Sequence, residues 1–156
     1  MLEKGEVMKQ VYFDAVMQLE RLHRLFFDVV KAELDRSNIK DINNMQCFIL
    51  YNIGENSMTV GEISNRGYYM GSNVTYNFKK LVEQGYVVQA QSEHDRRSSH
   101  IHLSEKGLAL FKRFDNIFSS HADNLRHNNI TEAELKETGK VLNKLESFWR
   151  FSATHS

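Results

Sequence analysis

The apolar positions form the same repeating pattern at both ends of the chain. Tyr12, Ala15, Leu19, Leu22, Phe26 and Val29 are spaced by threes and fours, with Asp14, Glu20, Arg21, Arg24 and Asp28 among the residues between them. That period draws one apolar seam along a helix that packs against another helix. It predicts a first helix over roughly residues 7–34, broken at Ser37-Asn38. Near the other end, Thr131 with Glu134 makes a capping box, and Leu135, Thr138, Leu142, Leu145 and Trp149 follow at threes and fours. Shorter helices lie between. Asn43 or Asn44 can cap one carrying Met45, Phe48, Ile49 and Ile53, with Gly54 as its stop. Thr59 with Glu62 opens a short one that Gly67 would end, and Gly71-Ser72 opens another with Val74, Phe78, Leu81 and Val82 on one face. Ser104 caps a fifth, with Leu108, Phe111, Phe118 and Leu125 on one face.

One stretch leaves the helical period. Tyr86-Val87-Val88 is β-rich, residues 92–99 are polar and hold Asp95-Arg96-Arg97, and His100-Ile101-His102-Leu103 alternates with period two. This predicts a two-stranded hairpin with a charged tip, and Gly85 supplies the tight helix-to-strand turn before it. The chain has no proline, so long helices run unobstructed.

Helix, turn, helix, hairpin is the order of a winged helix-turn-helix. The expected fold class is mainly α with a small β-hairpin wing (α+β), as one domain over 1–156. Residues 43–103 form the winged unit, and residues 7–36 and 104–150 form dimerisation helices, because two end helices with long apolar seams bury best against a partner chain. The second helix of the motif fits the major groove, and its N-terminus is partly positive. Its outward residues are expected to be Ser72, Asn73, Thr75, Tyr76 and Lys79, whose hydroxyl, amide, phenol and ammonium groups reach base edges and phosphates. Val74, Phe78 and Leu81 hold the helix from within. Arg96 and Arg97 at the wing tip suit a narrow, electronegative minor groove.

Composition supports a folded domain, since 41% of residues are apolar and 26% charged. With 20 basic and 20 acidic residues the chain is neutral overall, which excludes a strongly basic tail or an acidic solvating chain. The distribution matters more. Residues 63–82 contain no acid but hold Arg66, Lys79 and Lys80, a candidate anion-facing window. The longest apolar run, residues 47–51, is far short of the roughly 18 residues of a spanning helix. A single Cys and no basic-then-apolar start lead to the expectation of a soluble cytoplasmic protein without membrane association.

Catalytic motifs are missing: there is no Gly-rich phosphate loop, His-Glu-x-x-His or Gly-x-Ser-x-Gly, so neither an enzyme nor a bound cofactor is expected. Cys47 sits between Gln46 and Phe48 on an apolar helix with no cation beside it, which favours an inert buried thiol over a redox sensor. His94, His100 and His102 near Asp95 raise the question of a metal. No further ligand cluster supports one, and histidines beside a basic wing are natural phosphate neighbours, so none is expected.

Asp95-Arg96-Arg97 followed by Leu103-Ser104-Glu105-Lys106-Gly107 resembles the wing-and-return signature of the MarR family, Asp-x-Arg and then Leu-Thr-x-x-Gly, with Ser in place of Thr. Gly85-Tyr86-Val87 looks like the family's Gly-hydrophobic-Val turn, and the element order matches over nearly the whole length. A narrower likeness, to the LdtR-like and PetP-like regulators of α-proteobacteria, rests on Tyr69-Met70-Gly71-Ser72-Asn73-Val74 and Tyr76-Asn77. The family resemblance implies a homodimeric regulator of transcription on double-stranded DNA. It implies that Arg97 enters the minor groove and that Asp95 orients the basic side chains. It further implies control by a small aromatic or apolar effector, in a pocket where the dimer helices meet the winged unit, with Phe26 and Tyr51 as walls.

Two half-sites one helical turn apart, plus wing contacts, give an expected pseudo-palindromic operator of roughly 16–20 base pairs. The turn Asn65-Arg66-Gly67-Tyr68-Tyr69-Met70-Gly71 departs from the plain polar turn of the family. Tyr68 and Tyr69 either pack beneath it or touch the DNA backbone. The alternative function is a winged-helix module that binds a protein and not DNA.

Overall fold

A computed structural model describes residues 3–65, 72–91, 94 and 99–155. The elements run α1 (Lys4–Arg36), α2 (Asn44–Ile53), β1 (Met58–Thr59), α3 (Val60–Asn65), α4 (Ser72–Glu83), β2 (Val87–Gln91), β3 (Ser99–Leu103), α5 (Glu105–His127) and α6 (Glu132–Thr154). Two compact units result, residues 1–112 and 113–156.

The capping chemistry is in place. Asn43 Oδ1 accepts from the Gln46 backbone N–H at 2.8 Å, and Gln46 Oε1 accepts from the Asn43 N–H at 3.0 Å. Thr59 with Glu62 and Thr131 with Glu134 close the same reciprocal pairs. Each satisfies two N–H groups that a helix start leaves without partners.

The small sheet has three strands and not two. Its order is β1-β3-β2, antiparallel, with Met58 opposite Ile101 and Val87 opposite Leu103. Two residues are too few to show a period of two, so β1 is invisible as a pattern. It forms because Met58 belongs to the core, 4% exposed beside fully buried Ile101. That core, within residues 1–112, gathers Val30 and Leu34 of α1, Ile49, Leu50 and Ile53 of α2, Phe78 and Leu81 of α4, and Val87, Ile101 and Leu103 of the sheet. Burying a side chain such as Leu81 is worth about 2 kcal/mol.

The fifth helix buries a different face from the one expected. Leu110 and Phe114 are buried, while Leu108, Phe111 and Phe118 are only partly covered. The cause lies at Gly107, where an added Cβ would collide with the Tyr86 carbonyl oxygen. The helix start approaches the turn after α4 so closely that only glycine fits. With position 107 turned inward, positions three and seven residues on follow it inward. Phe111 instead stacks on Tyr51, ring centroids 5.2 Å apart.

α6 has no buried residue. Leu135, Val141, Leu142, Phe148, Trp149 and Phe151 are all exposed. The α1 seam is likewise exposed at Leu22 and Val29, half-covered at Tyr12 and Leu19, and the helix is buried near its end at Val30 and Leu34.

Candidate nucleic-acid interface

α4 is the element whose two sides differ most. Phe78 and Leu81 are buried, and Asn77 is nearly so at 9% exposure. Thr75, Tyr76 and Lys79 face solvent. The Lys79 side chain is 75% exposed, with its ammonium 4.0 Å from Glu83. A pair that open contributes little and leaves the ammonium able to turn to a phosphate. Lys80 lies 3.2 Å from Glu83 and 5.8 Å from the Tyr76 ring centre, and the Glu83 hydrogen bond raises its pKa above the ordinary lysine value. The exposed side of α4 therefore offers a hydroxyl, a phenol and ammonium charge.

Ser72 and Asn73 stand in the first turn of α4, but their side chains lie outside the described ones, as does that of Val74. Asp95, Arg96, Arg97, Tyr68 and Tyr69 lie outside the described residues. On the wing, Ile101 and Leu103 point into the core and His100 and His102 point out. His100 is opposite Ala90 on one side and Thr59 on the other, and His102 is opposite Val88. Among the described residues no group of three or more His, Cys, Asp or Glu could hold a metal ion.

Recognition helix and wing are joined to α5 by a set of contacts around the turn. Gly85 has φ of +77°, and the Tyr86 N–H returns to the Leu81 carbonyl at 2.9 Å, which closes α4. Ser104 Oγ donates to the Gly85 carbonyl at 2.5 Å and accepts from the Gly107 N–H at 3.1 Å. Tyr86 donates its hydroxyl to Asp41 at 2.8 Å. Lys106 Nζ reaches the other Asp41 oxygen at 2.8 Å and sits 4.1 Å from the centre of the Tyr86 ring. Burial alone would raise the Asp41 pKa, but hydrogen bonds from Lys106 and Tyr86 outweigh it and hold the carboxyl below its ordinary value. Burial, and then the bond to Asp41, push the Tyr86 phenol upward, so it stays a donor. The Leu-Ser-Glu-Lys-Gly run thus has a physical content: Ser104 and Gly107 fit the turn, and Lys106 clamps it. None of these Asp41, Tyr86 and Lys106 contacts shows in the periodicity, because their partners are up to 65 residues apart.

Cys47 is 1% exposed, and burial pushes its thiol up to about 12, which disfavours the reactive thiolate. Of the two expected pocket walls, Phe26 packs edge-on against Phe48 at 5.6 Å and Tyr51 stacks on Phe111. An open cleft of about 370 Å³ between α1 and α2 is lined by His23, Arg24, Phe27, Asp28, Asn44 and Met45.

The MarR family model matches residues 40–98, the winged unit from the Asp41 loop to the wing. The exopolysaccharide II synthesis transcriptional activator ExpG of Rhizobium meliloti (strain 1021) is 33% identical over 144 residues, which cover 92% of this chain and 74% of that protein. The chain belongs to the MarR family. A shorter match, 34% over 74 residues, is to the HTH-type transcriptional regulator YkoM of Bacillus subtilis (strain 168), covering 47% of this chain and 45% of that one. Among solved structures, FabT of Streptococcus pneumoniae in complex with DNA superposes with a TM-score of 0.71 at 24% identity, covering 89% of this chain and 97% of that one. The regulator SlyA superposes at 0.72 and 16%, covering 89% of this chain and 99% of its own. The protein is thus a MarR-family transcriptional regulator with a winged-helix fold. The family and these relatives are regulators rather than enzymes. Among the described residues no helix is long and apolar enough to cross a membrane.

Proposed function

We propose that this MarR-family regulator works as a homodimer that reads a pseudo-palindromic operator, with one α4 in each of two major grooves. The observation that carries the reading is the two-sidedness of α4, with Leu81 fully buried and Thr75, Tyr76 and Lys79 exposed on the far side. In this reading Ser72 and Asn73 of the first turn are further DNA contacts, Arg96 and Arg97 supply the wing contact, and Asp95 orients them. Support for the dimer comes from α6, which holds Leu135, Phe148 and Phe151 exposed although it is a regular 23-residue helix. Most helical stability comes from packing an apolar face, so α6 needs a cover, and a second copy offers the same seam in return. Two linked half-site contacts also convert weak single binding into tight binding. A small apolar or aromatic effector would act by binding better to one spacing of the two recognition helices than to the other. In this reading the chain carries out no catalysis and needs no cofactor.

Duplex binding measured against salt concentration tests this. Affinity should fall steeply and log-linearly with salt, because each phosphate contact releases counterions. Binding that ignores salt, or no duplex binding, would instead support a protein partner. Asn73→Ala should change preference at one base position, whereas Arg97→Ala should weaken all sequences alike.

A further inference from the structure

The inner side of α4 carries a directional contact among its apolar ones. Gln46 of α2, 5% exposed, donates from Nε2 to Oδ1 of Asn77 at 3.2 Å. The orientation of both amides is set by chemistry. The Asn43 backbone N–H can only donate, so it takes Gln46 Oε1, at 3.0 Å. Gln46 is then left with Nε2 toward α4, and Asn77 must answer with its oxygen. One backbone group at the start of α2 thereby fixes a two-amide relay that ends on the recognition helix.

Where that relay ends matters. Successive helix positions are about 100° apart, so residues two before and two after Asn77 lie on the opposite side of α4. Those residues are Thr75 and Lys79, both exposed. The flanking apolar contacts of Phe78 and Leu81 are non-directional and tolerate a small rotation of the helix. A hydrogen bond between two buried amides does not, because a rotated helix leaves both polar groups desolvated and unpaired. Buried polar groups that choose among otherwise similar packings are the best-attested use of such pairs.

We infer that Gln46 and Asn77 are positioning residues that set the rotation of α4 about its axis, and so determine sequence selectivity rather than the strength of phosphate binding. The inference rests on the DNA-binding reading above. The test takes the full-length protein, selects a preferred duplex from a random pool, and compares its affinity with that for a scrambled duplex. The double variant Q46L/N77L replaces the relay with apolar groups. It should stay folded, with a melting temperature a few degrees lower because the Asn43 N–H also loses its acceptor, and keep its affinity for scrambled DNA, but the ratio between selected and scrambled duplex should fall about tenfold, the size of losing discrimination at one base pair. Q46E, which keeps an acceptor for Asn43 and accepts from a flipped Asn77, should keep the ratio. If the double variant does not fold, Q46M carries the test, with the same fall expected. An unchanged ratio in a folded Q46L/N77L or Q46M, or a fall in Q46E as large as in Q46M, overturns the inference. Wild-type protein that selects no duplex contradicts the DNA reading itself, a different failure.

Discussion

In residues 1–112, Leu50, Leu81 and Ile101 are fully buried, and even polar Gln46 and Asn77 are drawn in with a partner each. In α6, Phe148, Trp149 and Phe151 lie 58%, 40% and 63% exposed in an equally regular helix. Both regions have good caps and good periodicity, so local signals do not account for the contrast. The difference is that the winged unit completes its core within one chain, whereas α6 carries an apolar face that one chain leaves bare. The first region holds α4, the proposed DNA-reading helix, on a scaffold of its own. The second leaves apolar side chains exposed, and in the proposed dimer a second copy covers them.

The sharpest way to break the self-sufficiency of the winged unit is Gly107→Ala. The new methyl would meet the Tyr86 carbonyl, a backbone atom that cannot swing away. The expected loss is about 3 kcal/mol in urea unfolding, the upper end of ordinary overpacking. A loss under about 1 kcal/mol would mean that α5 does not lie against the turn.

Next in size is Trp149→Glu on α6. It should weaken self-association about 30-fold or more by sedimentation, the scale of losing one central aromatic anchor. The amides of Leu81 and Ile101 should keep their hydrogen-exchange protection. Loss of protection in the winged unit, with association intact, would reverse the contrast between the two regions.

Lys79→Ala probes the exposed side of α4. Binding should weaken about equally for all duplexes, with the salt slope smaller by about one. An unchanged slope would remove Lys79 from the DNA.

The smallest effect belongs to Asp41→Asn, expected to cost less than about 1 kcal/mol near neutral pH because the Lys106 pair is partly open to water. The folded Asp41 carboxyl titrates below its ordinary value. Its contribution is therefore complete above the ordinary value and is lost as pH falls through the folded one. The stability gap between wild type and variant should close as pH drops below about 4. A gap that widens there would contradict the geometry around Asp41.

What the sequence revealed follows from which features are local. Capping boxes, helix periods and the alternation of His100-Ile101-His102-Leu103 involve residues a few positions apart, and each element they announce is present. β1 escaped because Met58-Thr59 has no pattern of its own and is held by Ile101 and His100 from across the chain. The buried face of α5 escaped because Gly107, and not the apolar count, decides its rotation. Around the interface, the outward set Thr75, Tyr76 and Lys79 could be read from the positions of Phe78 and Leu81. The relay from Gln46 to Asn77 could not, since an amide on an apolar face looks like an interruption until its partner 31 residues away is seen.

The central claim is that two copies present two α4 helices to one duplex. Sequencing the DNA that the purified protein retains from a random-duplex pool tests it most directly. The expected result is an inverted repeat whose half-sites are centred about one helical turn, roughly 10 base pairs, apart. A single unrepeated site, or a pool that emerges unenriched, would contradict it.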